Sequence, residues 1–255
     1  SFTNNRFSSS FGLLEEEVKD ILEYYEIGSE DSGIKEWYNG YRSGENTSVY
    51  NPWSILKYIS SSLEGNKEFV PYWVNTSNNE LIQQLIISRS LEIKKELSQL
   101  LLGKDIELRI KEYISYEELK DTNDKAALWN FMWMSGYLTV GSKFGDPRMP
   151  SYNLVIPNKE IMELYAEFIV KWSKNVVGNF IYTSMIEALV RGDMEIFKEE
   201  LPKFLMQTLS FRNIRPATRE EVYQSFLLGL FAPLEKDYLL LSEQESGKGI
   251  ADIVL

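Results

Sequence analysis

The chain has 255 residues, and its 44% hydrophobic and 25% charged residues are those of a globular protein with a core, long enough for one large domain or two to three small ones. It contains no Cys and no His, which excludes disulfides, thiolate chemistry, a His-dependent serine triad and an ordinary zinc site. The formal net charge of −11 repels nucleic-acid phosphate at long range, and no dense Lys/Arg block offsets it.

Taken in chain order, Phe11 to Tyr25 predicts an amphipathic helix, with Leu14, Val18, Ile21 and Leu22 on one face and acids between them. Gly28 to Gly33 breaks that pattern. In Trp37-Tyr38-Asn39-Gly40-Tyr41 the Asn-Gly pair reads as a turn flanked by β-favouring aromatics. Asn51 reads as an N-cap with Pro52 at the first helical position, opening a helix from about Trp53 to Ser61. Tyr72-Trp73-Val74 reads as short and extended. Thr76-Ser77-Asn78 caps a helix over about Asn79 to Ser88, and Leu91 to Leu102 is a further helix closed by Gly103.

Ile106 to Ile114 alternates as a strand does, although a helix also fits. Residues 116 to 172 then read as a winged-helix unit. Tyr116 to Lys120 is a helical turn, Asp124 to Met134 an apolar helix and Tyr137 to Val140 a strand. Gly141 to Pro150 is a turn-rich tip, Ser151 to Ile156 the return strand, and Pro157-Asn158 starts a helix with Ile161, Leu164, Tyr165, Phe168 and Trp172 on one face. Phe180 to Arg191, Met194 to Lys198 and Leu201 to Leu209 are helical around a Gly192-Asp193 break. Arg212 to Thr218 reads as a linker, and Thr218 caps an apolar helix, Glu220 to Leu234. Two β runs, Tyr238 to Ser242 and Ile250 to Leu255, flank a tight turn at 245–249. The fold class is therefore mainly α with small β elements, α+β.

Glu243-x-Glu245-Ser246-Gly247-x-Gly249-x-Ala251-Asp252-Ile253-Val254-Leu255 resembles the first block of the PD-(D/E)XK nuclease-superfamily domain found at the C-terminus of AAA-ATPase-like proteins. The helix Glu220-x-x-Tyr223-x-x-Phe226-x-Leu228-Gly229-Leu230 resembles that domain's first helix, with Gln224 where the family usually carries a His. Upstream, Phe11-Gly12-Leu13 with Glu16-Glu17-Val18, Trp37-Tyr38-Asn39-Gly40-Tyr41 and Tyr50-Asn51-Pro52-Trp53-Ser54 are similar to segments of the same family. So are Tyr72-Trp73-Val74-Asn75-Thr76-Ser77, Ser135-Gly136-Tyr137-Leu138-Thr139 and Ile156-Pro157-Asn158-Lys159-Glu160, in family order.

The resemblance implies four regions. Residues 1–104 are the helical C-terminal part of an ATPase-like region, 105–175 a winged-helix-like unit, 176–215 a helical segment, and 216–255 the start of a truncated nuclease-like domain. It implies Asp252 as a magnesium ligand and catalytic carboxylate, with Glu220 as an auxiliary acid; the Glu-x-Lys strand that would complete the centre would lie beyond Leu255. An Asp among apolar neighbours is otherwise a strand-edge residue in solvent. Magnesium and ATP are expected of the longer parent and neither of this chain alone, since no Gly-x-x-x-x-Gly-Lys-Ser/Thr segment occurs here. Arg42 and Lys57 are candidates for residual nucleotide affinity.

The expected partners are the ATPase core missing from this chain and, in the parent, nucleic acid. No apolar run approaches membrane-span length, there is no signal-peptide h-region in residues 1–10, and the expected location is cytoplasmic. The Ser start and the Leu255 end suggest a segment of a larger protein. The expected function is a non-catalytic fragment of an ATPase-like protein that couples nucleotide binding to a metal-dependent nuclease-like domain; the alternative is an interaction or regulatory module with a degenerate nuclease-like fold. Residue by residue, the aromatic blocks read as structural: Trp37, Tyr41, Trp53 and Trp73 as core anchors, Asn39-Gly40 as a turn, and Asn51-Pro52 and Pro157-Asn158 as helix starts.

Overall fold

Three glutamates open the first helix, where negative side chains meet the positive end of the helix dipole. In the computed structural model of the chain, this is α1 (Glu15–Tyr24), with the Glu17 carboxylate accepting from Leu14 N at 2.7 Å. The structure describes residues 10–28, 31–44, 47–75, 78–87, 91–101, 103–111, 113–121, 124–146, 149–208, 219–246 and 249–255. It is mainly helical with three small antiparallel sheets, as the composition and periodicity predict. The chain divides into two compact units: Ser1–Leu85 with Gly103–Leu164, and Ile86–Leu102 with Tyr165–Leu255.

In the first unit α2 (Asp31–Tyr38) leads into the hairpin of β1 (Tyr41–Ser43) and β2 (Thr47–Val49), then α3 (Pro52–Leu63) and a 3-10 turn, Tyr72–Asn75. α4 (Asn78–Ile87) follows. Val18 and Leu22 of α1, Ile34 and Tyr38 of α2, and Ile55, Tyr58 and Ile59 of α3 form the core. Phe69 stacks between Trp37, at 6.1 Å, and Tyr58, at 5.2 Å. Gly33 leaves room for that ring, because a Cβ there would stand 2.6 Å from Phe69.

Two expectations need correction here. Trp37 and Tyr38 end a helix rather than flank a β-turn, because Ile34 and Tyr38 fall one helical turn apart and both are buried. Tyr72-Trp73-Val74 is wound into a 3-10 turn rather than extended.

The same unit holds β3 (Ile106–Leu108), α6 (Tyr116–Lys120), α7 (Lys125–Met134), β4 (Thr139–Asp146) and β5 (Met149–Val155). The sheet order is β3-β5-β4, with Ile106 opposite Leu154 and Thr139 opposite Val155. The predicted strand over Ile106 to Ile114 stops at Leu108: Lys111 N donates instead to buried Asn130 Oδ1, at 2.8 Å. The hairpin arms also run further than the predicted tip of 141–150, to Asp146 and from Met149. Helix, hairpin and helix follow in the predicted order, ending on α8 (Lys159–Val177), within which the two units meet in sequence.

The second unit contains α5 (Leu91–Leu101), most of α8, α9 (Asn179–Arg191), α10 (Met194–Thr208) and α11 (Arg219–Phe231). A 3-10 turn, Ala232–Lys236, then precedes the hairpin of β6 (Leu241–Ser246) and β7 (Gly249–Val254). The two predicted helices over 194–209 are one, with Pro202 inside it. Phe226 of α11 meets Trp172 of α8 at 5.6 Å and Phe204 of α10 at 6.0 Å. Gly229 permits the close packing of α11, since a Cβ there would lie 2.5 Å from Ile169 and 3.0 Å from Leu101. The predicted linker 212–218 and the Thr218 cap lie outside the described residues.

Candidate functional site: a buried polar joint

Six of the eight sequence blocks belong to the first unit, and hydrogen bonds tie them to one another. Leu13 and Tyr50 exchange backbone hydrogen bonds, at 3.2 and 2.8 Å. Asn51 N donates to Tyr38 O at 3.1 Å, while the Asn51 side chain caps α3 by accepting from Trp53 N at 3.0 Å. Asn39 Oδ1 accepts from Gly40 N and from Ser48 Oγ, both at 2.6 Å. Asn158 Nδ2 donates to Asn39 O at 2.7 Å, while its Oδ1 caps α8 by accepting from Ile161 N at 3.1 Å. Pro157-Asn158 therefore acts as a cap, Asn39-Gly40 follows the end of α2 without forming the expected turn, and Asn158 also joins the two blocks across 119 positions of sequence.

At the centre is Glu160, which is 0% exposed. Its Oε1 accepts from Trp73 N at 2.8 Å, and both its oxygens lie within hydrogen-bond distance of Ser54 Oγ, at 3.0 and 2.8 Å. Burial raises the carboxyl above its ordinary value; the Trp73 N–H, the Ser54 hydroxyl and the Tyr72 N–H pull it down without offsetting that. The phenols of Tyr38 and Tyr41 are raised, first by burial and with a contribution from Glu160. Tyr38 Oη also donates to Val70 O at 3.0 Å and accepts from Val70 N at 3.2 Å. The Tyr41 hydroxyl is enclosed beside Asn51 and Asn158.

The joint continues to the hairpin of β4 and β5. Arg42 N donates to Thr139 Oγ1 at 2.8 Å, and the Arg42 guanidinium donates to Gly141 O, at the point where the β4 register shifts between Val140 and Ser142. Tyr137 Oη donates to Asn79 Oδ1, Asn79 Nδ2 donates to Trp73 O at 3.2 Å, and the Trp73 and Tyr137 rings lie 4.8 Å apart. The two candidate nucleotide-binding cations are thus engaged within the chain: Arg42 at Gly141, and Lys57 at 5.0 Å over the Trp53 ring. Trp53 itself is 50% exposed, so it is not a core anchor. It stands on the outer face of α3, while Ser54 and Ile55 turn inward.

Periodicity could not find Glu160, because an acid in the first turn of a helix usually faces water. The block Ile156-Pro157-Asn158-Lys159-Glu160 contains it, but the local signal there is the Pro-Asn helix start. The predicted nuclease-like acids are in the second unit. Glu220 is the second residue of α11, and Asp252 lies in β7 between Ala251, opposite Gln244, and Ile253, opposite Ser242. The side chains of both lie outside the described residues.

Among the described residues no group of three or more carboxylates is placed to hold a metal ion. α7, whose counterpart in a DNA-reading winged helix enters the major groove, spends its one carboxamide internally: Asn130 donates to Ala126 O at 2.8 Å and to Arg109 O at 3.4 Å. Among the described residues no helix is long and apolar enough to cross a membrane.

No family model matches the chain, and no solved structure matches it. It is 28% identical over 159 residues to an uncharacterized protein in vnfD 5'region from Azotobacter chroococcum mcd 1. That stretch covers 62% of this chain and 27% of the relative, so the chain spans less than a third of the length of the curated relative it matches.

Proposed function

We propose that this chain is a non-catalytic coupling segment of an AAA-ATPase-like protein, with a metal-dependent nuclease-like domain opening at α11, β6 and β7. What supports the reading is the convergence of blocks from 11–13, 37–41, 50–54, 72–77, 135–139 and 156–160 on one hydrogen-bonded joint. Each block is a weak signal in sequence. A shared joint gives them a common physical reason, which is to fix α3, the 72–75 turn, the β4–β5 hairpin and the start of α8 in one arrangement. A joint of this kind transmits displacement and performs no chemistry of its own. The exposed Trp53, Leu56 and Leu63 of α3 favour a second reading, an interaction module with a degenerate nuclease-like fold.

The test uses the longer parent protein with Mg²⁺, ATP and DNA. Asp252→Ala is expected to abolish metal-dependent cleavage while leaving ATP hydrolysis in place, and the isolated 255-residue chain is expected to do neither. Undiminished cleavage by the variant would end the nuclease assignment. Loss of neither activity, with loss of a partner in co-purification on Trp53→Ala, would favour the interaction module.

A further inference from the structure

The Glu160 carboxyl is enclosed, with no positive partner among the described residues. Among the described residues the titratable side chains that face it from neighbouring elements are the phenols of Tyr38 of α2 and Tyr41 of β1, while Tyr72 of the 3-10 turn offers its backbone N–H. Lysine 159, next to it in α8, turns away to Glu36, with Nζ 2.9 Å from Oε1 and both side chains half exposed. An ionised carboxylate in such a place keeps its full desolvation cost unless donors surround it. Its two oxygens share the hydroxyl of Ser54, which has a single hydrogen and can satisfy one of them at a time. A neutral acid would resolve this sharing: with Ser54 Oγ 2.8 Å from Oε2, a proton on Oε2 could be donated to the hydroxyl oxygen while Oε1 accepts from Trp73 N at 2.8 Å.

We propose that Glu160 is a proton-controlled latch: the folded first unit holds it as the neutral acid, and loss of that proton as pH rises loosens the joint of α3, the 72–75 turn and α8. The latch is independent of the proposed coupling role. Its sign follows from linkage. Burial raises this carboxyl above its ordinary value of 4.5, so the folded chain binds the proton more tightly than the unfolded chain. The resulting stability is fully present below 4.5 and is lost as pH rises through the raised value.

The experiment compares thermal unfolding of the wild-type chain with Glu160→Gln across that window. Gln reproduces the neutral form, with Oε1 toward Trp73 N–H and Nε2–H toward Ser54 Oγ. Other carboxylates affect both proteins equally, so the difference between the two curves isolates Glu160. Wild type is expected to lose about 3 °C or more relative to the variant between the low and high ends of the window. In infrared spectra followed upward from pH 4.5, wild type should retain a protonated-carboxyl C=O band to higher pH than its ordinary carboxyls do, a band that Glu160→Gln lacks. If Glu160→Gln does not fold, the wild-type band and its frequency shift in Ser54→Ala decide alone. A pH-independent difference, or no such band, overturns the proposal.

Discussion

At the scale of single residues, Gly40 is the strictest position in the joint. Its φ of +100° already disfavours any side chain, and a Cβ there would stand 1.9 Å from Pro157 O. Gly65 supplies the control, with a similar φ of +91° but nothing within 4 Å of its Cβ position. Gly65→Ala is expected to cost about 1–2 kcal/mol, the strain of the left-handed backbone alone. Gly40→Ala must also displace the Pro157 carbonyl and with it Asn158, and is expected to cost about 4 kcal/mol or more. Denaturant unfolding of the two variants checks the difference; equal costs would mean that the close approach carries no weight. The sequence motif names Asn39-Gly40 as a turn and Pro157-Asn158 as a helix start; the second is one, whereas Asn39-Gly40 simply follows the end of α2. Their meeting across the chain is invisible to local patterning, because turn and cap propensities say nothing about which segment a cap will touch.

At the scale of elements, helices with a clear apolar face were legible: α3 begins at its predicted cap, α6 spans its predicted residues, and the named face of α8 is buried. Misreadings fell where aromatic residues carry two meanings. Trp37 and Tyr38 favour strands by propensity, yet Tyr38 lies one turn from Ile34 on a buried helical face, and packing outweighs propensity. Short elements behave differently, because they depend on caps.

In α6 the Glu118 carboxylate accepts from Ser115 N at 2.9 Å and Ser115 Oγ at 3.1 Å, and pairs with Lys111 at 3.0 Å. These hold its pKa down at about 2, with the Ser115 N–H the largest cause and the Lys111 hydrogen bond next. A depressed carboxyl contributes stability above its ordinary value of 4.5, lost as pH falls toward about 2. Lys111→Met and Ser115→Ala are each expected to raise the Glu118 pKa, Lys111→Met by more, and neither to the ordinary value while the backbone N–H remains. An NMR pH titration of the Glu118 side chain measures this, and a full return to the ordinary value in either variant would contradict the capping account.

At the scale of the whole molecule, chain order and spatial grouping part company. The helix α5 comes between two stretches of the first unit in sequence, yet it belongs to the second and packs on α11, where Leu101 lies beside Gly229. A linear reading could not anticipate this, since α5 has the same amphipathic signature as helices that pack on their sequence neighbours. The buried side chains of Ile93, Leu97 and Leu100 are worth about 1.5–3 kcal/mol each. Their sum is comparable with the entire margin of about 5–15 kcal/mol that keeps a domain folded. A piece comprising residues 165–255 should therefore be poorly folded by itself, with weak near-ultraviolet circular dichroism and narrow amide dispersion. Adding a peptide of residues 86–102 should restore both signals, whereas the same peptide carrying Leu97→Asp should fail, because it brings an unpaired charge to a buried position. If 165–255 is well dispersed without the peptide, α5 is an accessory of that unit rather than part of its core.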